Sequence, residues 1–328
     1  MSDGTDWFDE ESPGAAREGG APAPAGAAAR AQAGGEGEAA AAGSARSAGG
    51  SEVPPSPPPP RRAASHGGPV RQATLAVTFL TGIPLKVEGE VSPADLWRSM
   101  GWYPLVGLSL GAVAWGVYAG LVSFLPGLVA ATLVVIALEL LTRGLHMDGV
   151  MDTADGILSG APRDRALEIM KDHNVGAMGV VAAVLLLVLK VAALGALTRA
   201  DAAAPLLAGW CAARALPALD VYLWPYARPA GTGEAFTRER SLGPVELSLG
   251  FLLAGIVVAG GVGFVLDGTG SWFAGPLTAA VAMLVTLAVQ AVVAKKLGGL
   301  TGDVYGMGIE LAEAAALVTG VAVVGVLL

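Results

Sequence analysis

The stretch Val175-Gly176-Ala177-Met178-Gly179-Val180-Val181-Ala182-Ala183-Val184-Leu185-Leu186-Leu187-Val188-Leu189-Lys190-Val191-Ala192-Ala193-Leu194-Gly195-Ala196-Leu197 runs for 23 residues with one charge, Lys190. A helix needs roughly 20 apolar residues to cross a bilayer's hydrocarbon core, so this run predicts a transmembrane helix. Comparable runs lie at about 104–125, 128–142, 203–222, 246–266, 273–294 and 309–328, which makes seven spans in all. The run at 128–142 is short. A further apolar stretch near 74–84 is too short to span and predicts a re-entrant or interfacial helix. The expected fold is all-α, a polytopic integral membrane protein. Gly and Ala inside the runs suit helices that pack closely in lipid.

Composition agrees. Hydrophobic residues make up 53% of the 328 and charged residues 15%, with a mean hydropathy of +0.59. Soluble domains average about 45–50% apolar and about 25% charged. A net charge of −8 argues against nucleic acid bound through a basic face, and one cysteine, Cys211, excludes an intrachain disulfide framework. Residues 1–70 differ from the rest: they are rich in Pro, Gly and Ala, include Pro54-Pro55-Ser56-Pro57-Pro58-Pro59-Pro60, and have few large apolar side chains. Such a segment cannot bury enough surface to offset its conformational entropy, which predicts a disordered tail ahead of a membrane-embedded catalytic domain at 71–328. No apolar core follows the acidic start Met1 to Glu11, so a cleaved signal peptide is not expected.

Lys and Arg positions set the orientation. Arg61, Arg62, Arg71, Lys86 and Arg98 precede the first span, Arg143, Arg163, Arg165 and Lys171 lie between the second and third, Arg228, Arg238 and Arg240 between the fourth and fifth, and Lys295 and Lys296 between the sixth and seventh. The opposite loops hold only Arg199. Seven spans then put the N-terminus and every polar motif on the cytoplasmic face, with the C-terminus outside. The reading is a multi-pass protein of a prokaryotic cytoplasmic membrane.

The densest chemistry is Leu145-His146-Met147-Asp148-Gly149-Val150-Met151-Asp152-Thr153-Ala154-Asp155-Gly156. Asp148, Asp152 and Asp155 stand at i, i+4 and i+7, on one face of a helix. Three like charges repel unless a cation neutralises them, and hard carboxylate oxygens suit Mg²⁺, or Mn²⁺ in its place, with positions left for phosphate oxygens. His146 can ligate, orient Asp148 or touch substrate. The loop continues through Arg163-Asp164-Arg165-Ala166-Leu167-Glu168-Ile169-Met170-Lys171-Asp172-His173-Asn174, where Arg163, Arg165 and Lys171 suit phosphate oxygens and Asp172 and Asn174 lie nearest the next span. A third cluster, Thr301-Gly302-Asp303 with Glu310 and Glu313, enters the last span, and ionisable residues at membrane depth are functional candidates. Glu139, Lys190 and Arg214 lie inside apolar runs, where they can pair or line a cavity.

These motifs resemble the cobalamin synthase family. The resemblance rests on Leu145 to Gly156, on Arg165-Ala166-Leu167-Glu168-Ile169-Met170-Lys171-Asp172, on Val175-Gly176-Ala177-Met178-Gly179, and on Thr301-Gly302-Asp303 with Glu310 and Glu313. Phe79-Leu80-Thr81-Gly82-Ile83-Pro84 and Tyr103-Pro104-Leu105-Val106-Gly107 also fit, and together they cover roughly 72–328. Gly82 stands where the family often has Arg, and Met147 and Met151 where smaller or branched aliphatics are common.

The resemblance implies a phosphotransferase for substituted phosphate groups. Adenosylcobinamide-GDP meets α-ribazole or its 5′-phosphate, a ribose hydroxyl attacks the phosphate on the corrinoid arm, and GMP leaves. It implies Asp148, Asp152 and Asp155 as ligands of one or two Mg²⁺ ions, Asp152 as catalytic, and Asp303 or Asp172 as the base. Lys171, Arg163 and Arg165 would face the GMP, with His146, Asn174, Thr301, Glu310 and Glu313 as further substrate contacts. The lipid bilayer is a partner by construction; a homo-oligomer and other membrane-bound cobalamin-assembly enzymes are further partner readings.

Three rivals share parts of the pattern. An intramembrane prenyltransferase also holds Mg²⁺ on aspartates, but no second cluster like 148–155 occurs. A CDP-alcohol phosphotransferase would open Asp-Gly-x-x-Ala-Arg, whereas Asp148-Gly149 is followed by Val150-Met151-Asp152-Thr153. A cation-coupled transporter would carry its acids at span centres within an inverted repeat, and no such repeat is evident.

Overall fold

The computed structural model describes residues 67–327 except 173, 229–231, 238–239 and 268–271, so all but the last four residues of the tail expected at 1–70 lie outside the described residues. In hydrocarbon an unpaired backbone N–H or C=O is costly, and a helix pairs its own. Every regular element among the described residues is accordingly helical, with one isolated bridge between Tyr226 and Leu300.

Two short helices come first, α1 (Pro69–Leu80) and α2 (Pro93–Met100). α1 is the non-spanning helix expected near 74–84, shifted toward the N-terminus. It starts on a proline, which suits a first helical turn, and stops where Thr81 turns extended and its hydroxyl donates to Val77 O at 2.7 Å. Then follow α3 (Tyr103–Leu121), α4 (Gly127–Leu141), α5 (Leu145–Leu158), α6 (Arg163–Ile169) and α7 (Ala177–Gly195). A π-helical turn, Pro205–Gly209, leads into α8 (Trp210–Leu223), and a 3₁₀ segment, Thr232–Thr237, precedes α9 (Gly243–Asp267), α10 (Ala274–Leu297) and α11 (Gly302–Leu327).

Six of these are long and apolar enough to cross a membrane: α3, α7, α8 with its π turn, α9, α10 and α11. The short second run makes a seventh only if α4 and α5 count together, and they are bent by 89°. The bend is built from two left-handed residues, Arg143 (φ 56°) and Gly144 (φ 63°), with the Gly144 N–H donating to Glu139 O at 2.8 Å. That backbone is open to glycine and strained for a side chain. It turns the acidic helix α5 away from α4 and across the end of the bundle.

Burial orders the bundle. α8 and its π turn are largely buried and form the centre, whereas α7 and α9 are mostly uncovered rim helices, and outward residues of α7 such as Val180, Val184, Leu185 and Val188 remain apolar and exposed. On lipid such a face needs no cover. α3 reaches α8 through Gly107 and Gly111, where a Cβ would collide with Trp210 O and Leu206 O.

The last helix differs from expectation. α11 begins at Gly302, not near 309, because Thr301 caps it: its Oγ1 accepts the Val304 N–H at 3.4 Å. Glu310 and Glu313 therefore lie in its third and fourth turns instead of its first, both 2% exposed. Lys190 of α7 donates to Glu310 Oε2 at 2.8 Å and Glu313 Oε2 at 2.7 Å, and lies 3.4 Å from Glu139 Oε1 on α4. Arg214 of α8 pairs with Glu313 Oε1. Four helices are thus tied by one buried ionic cluster.

Breaking one partner out of a buried ion group costs about 3–5 kcal/mol. We expect Lys190→Met to lower the melting temperature in detergent, and the double variant Lys190→Met/Glu310→Gln to recover part of the loss. Simply additive losses would show that the two side chains are not coupled.

Candidate active site

α5 buries His146, Met147, Gly149, Val150, Thr153 and Gly156 against the bundle. Gly149 decides where its carboxylates go: a Cβ there would overlap Asp303 O, so the backbones of α5 and α11 touch at this point. Gly306, one turn along α11, faces His146, and its Cβ would stand 3.3 Å from the His146 Cα. The contact sets Asp148 and Asp152, one residue before and three after Gly149, against Asp303 in the first turn of α11. Burial, then the charges of Asp303 and Asp148, push the Asp152 carboxyl up to about 7, with Arg228 pulling it down.

Two openings flank these acids. One is a cavity of about 210 Å³ with Asp148, Asp303, His146 and Tyr305 in its wall and apolar side chains over the rest. The other is a groove of about 350 Å³ lined by Arg163, Lys171, Arg228, Tyr226, Asp164 and Glu168. Arg228 joins them, because it lines the groove while its Nη2 lies 2.7 Å from Asp303 Oδ2. Its segment is held by the pairing of Ala227 N with Leu300 O at 2.8 Å and of Leu300 N with Pro225 O at 3.0 Å. Positive-inside topology accounted for Arg228 in the sequence; its contact with Asp303 spans 75 positions and leaves no local signature.

The other expected residues fall in different places. Asp155 shares the face of Asp148 and Asp152 but caps α7: its Oδ2 accepts the Gly176 N–H at 2.7 Å and its Oδ1 the Gly179 N–H at 2.8 Å. Both glycines are small for that reason, since a Cβ at either would run into the Asp155 carboxylate. Thr301 is the α11 cap and also lies 3.2 Å from Asp303 Oδ2. Arg163 lines the groove yet donates to Leu297 O at 2.7 Å and Ala227 O at 2.9 Å, stitching α6 to the end of α10 and to the loop after α8. Arg165 pairs with Glu168 at 2.9 Å on the exposed face of α6. Asp172 accepts from the Asn174 N–H at 3.0 Å and Nδ2 at 2.8 Å in an exposed turn that lines neither opening. Glu310 and Glu313 belong to the ionic cluster around Lys190. His173 and Arg238 lie outside the described residues.

Among the described residues no three acidic, His or Cys side chains stand close enough together to hold one ion, and of the three expected carboxylates Asp155 is turned to the Gly176 and Gly179 N–H groups. The donor chemistry still fits Mg²⁺, which binds through one or two carboxylates and otherwise water or phosphate oxygens. Asp148, Asp152 and Asp303 are hard oxygen donors of that kind, and the mutual repulsion felt at Asp152 is what a cation relieves.

A polytopic helix bundle with clustered carboxylates between an apolar cavity and a cation-lined groove is a membrane-embedded enzyme in its design. The family model for cobalamin-5-phosphate synthase matches residues 72–321, and the chain belongs to that family. Relatives named adenosylcobinamide-GDP ribazoletransferase include one from Brevibacillus brevis, 40% identical over 248 residues (74% of this chain, 94% of the relative). Another, from Desulfitobacterium hafniense, is 39% identical over 260 residues (74% and 94%), and one from Pseudomonas syringae is 37% identical over 253 (75% and 96%). No solved structure matches the chain.

Overpacking a tight contact costs about 1–3 kcal/mol. Gly149→Val should therefore lower thermal stability in detergent, while Gly116→Val on α3, where nothing lies within 4 Å of a Cβ, should leave it nearly unchanged. Equal losses in the two would refute the close α5–α11 contact.

Proposed function

We propose that the chain is an adenosylcobinamide-GDP ribazoletransferase. It joins adenosylcobinamide-GDP to α-ribazole, or to its 5′-phosphate, giving adenosylcobalamin or its 5′-phosphate and GMP. The observation that carries this reading is the meeting of Asp148, Asp152 and Asp303 beside Arg228 at the junction of cavity and groove; the names of the relatives supply the substrates.

The reaction is a displacement at phosphorus. A ribose hydroxyl of the acceptor forms a P–O bond to the phosphate on the corrinoid arm, the pyrophosphate P–O bond breaks, and GMP departs with the electron pair. Asp303 is the better base, because it borders the cavity whereas Asp172 sits in an exposed turn. Its Oδ2 is held by Arg228 and Thr301, which fixes the carboxylate where a hydroxyl proton can be taken. Arg228 and Lys171, with the edge of Arg163, would neutralise the departing nucleotide. Mg²⁺, or Mn²⁺ in its place, would be held by Asp148 and Asp152 and would supply neutralisation of the pyrophosphate charge. The Lys- and Arg-bearing segments around α6, after α8 and after α10 meet at this end of the bundle, which supports a cytoplasmic site in a prokaryotic inner membrane.

GMP release by the detergent-solubilised chain, given adenosylcobinamide-GDP and α-ribazole 5′-phosphate, is expected to need both the acceptor and Mg²⁺. Asp152→Asn and Asp303→Asn should each lower turnover at least about a hundredfold in protein that melts normally. Folded wild-type protein that forms no GMP would reject the reading. The divided roles of the α5 acids give a second test. Asp148→Asn should raise the Mg²⁺ concentration needed for half-maximal GMP release with little change in stability. Asp155→Ala should instead cost about 0.5–2 kcal/mol, as lost helix caps do, with the Mg²⁺ requirement of the folded fraction unchanged.

A further inference from the structure

We propose that the 210 Å³ cavity seats the flat heteroaromatic base of the acceptor nucleoside, and that His146 hydrogen-bonds the ring nitrogen which the glycosidic bond leaves free. The inference rests on the ribazoletransferase reading and adds which substrate enters which opening.

Size comes first. A cavity of about 210 Å³ is smaller than the usual range for drug-sized ligands, about 300–1,000 Å³. It holds a bicyclic ring and excludes a corrin macrocycle. Its walls match a planar ring. Tyr103 and Phe236 are almost fully buried, and Phe79 stands over both, stacked on Tyr103 at 6.1 Å and edge-on to Phe236 at 5.2 Å. Leu80, Met100 and Ile309 complete an apolar lining. Aromatic rings in offset and edge contacts accept a further flat ring.

Charge then separates the substrates. The charged groups in the cavity wall are the carboxylates Asp148 and Asp303, whereas the groove carries three cations, Arg163, Lys171 and Arg228, beside two carboxylates, Asp164 and Glu168. An uncharged ring therefore goes to the cavity and phosphates to the groove. A nucleoside seated this way presents its sugar at Asp303, where the attacking hydroxyl is needed.

His146 supplies the specific contact. It is 3% exposed, it lies in the cavity wall, and neither ring nitrogen has a hydrogen-bond partner. A buried polar group left unmatched is costly, and the few in native proteins ask for an explanation. A benzimidazole-type base offers one acceptor nitrogen at its edge, which an imidazole N–H satisfies.

The test uses the full-length chain in detergent. His146→Phe keeps a ring of similar size and removes the donor. It should raise the KM for α-ribazole about threefold to tenfold, as one hydrogen bond is worth, and leave unchanged the KM for the indole α-riboside, which lacks that nitrogen. Equal effects on both nucleosides would overturn the hydrogen bond. Ile309→Phe, which fills the cavity, and Phe236→Leu, which enlarges it, should change the KM for α-ribazole and not that for adenosylcobinamide-GDP. A change confined to adenosylcobinamide-GDP would put the donor's ring in the cavity instead, and no change in either would exclude it as a substrate site. Equilibrium dialysis of labelled α-ribazole separates the two readings. Wild-type binding that Ile309→Phe abolishes supports the cavity even if no GMP forms, whereas GMP formation with dialysis binding unaffected by Ile309→Phe overturns the cavity alone.

Discussion

At Gly149 there is no side chain, and the carbonyl of Asp303 lies where one would be. That contact is a constraint on two helices at once, because it fixes both the depth at which α5 crosses the end of the bundle and the face it turns toward α11. Asp148 and Asp152 follow from it, since an α-helix places i−1 and i+3 at defined angles from i. So does the cavity, whose wall is made from His146, Asp148 and Gly149 on one side and Asp303, Tyr305 and Gly306 on the other. A side chain at 149 would part the helices and dissolve the acidic cluster together with the pocket beside it. The 89° turn at Arg143 and Gly144 serves the same contact by releasing α5 from the direction of α4.

The chain separates its buried charges into two groups with opposite requirements. Around Lys190, three glutamates and two cations from four helices pair with one another, leaving Glu139 Oε2 and Arg214 Nε unmatched, and the cluster is a fastening. In low dielectric such a group is stable only when its partners are all present. At the α5–α11 junction the balance is left incomplete: Arg228 answers Asp303, but Asp148 and Asp152 face added negative charge. Uncompensated carboxylates are unfavourable for folding and useful for binding a divalent cation. The fastening shares α11 with the junction and so helps set where the candidate acids stand.

Much of the bundle can be read from the chain because hydrocarbon imposes a length on any helix that crosses it. The run at 175–197 becomes α7 with its ends trimmed to Ala177 and Gly195. The last span is harder. Gly298-Gly299-Leu300-Thr301-Gly302 reads as a flexible loop, yet Thr301 starts the helix, and glycines 306 and 308 are tolerated inside α11 because His146 and Gln290 lie against them. Helical spacing also puts Asp155 beside Asp148 and Asp152, but spacing cannot show that the N–H groups of Gly176 and Gly179 will arrive at that carboxylate. The partners of Lys190 come from two other helices, α4 and α11, and Arg228 meets Asp303 because residues 225–227 pair with Leu300. Local pattern reveals elements and candidate acids; long-range packing decides which acids are fastened by a partner and which face other carboxylates.

Arg228 makes the arrangement into a single site. A cavity with acids in its wall and a groove lined by cations would repel or attract the same phosphate if they opened to one another without division. Arg228 lines the groove while its Nη2 meets Asp303 and the Met170 carbonyl, so it stands on the boundary between cavity and groove. It holds Asp303 at 2.7 Å, and in the proposed reaction it would also lend positive charge to the leaving phosphate. Guanidinium is suited to this because it is planar, permanently charged and has several donors, whereas an ammonium would act as a point charge for one neighbour. Nucleophile activation and leaving-group neutralisation would therefore meet through one residue, supplied by a loop that the membrane spans on either side hold against α11.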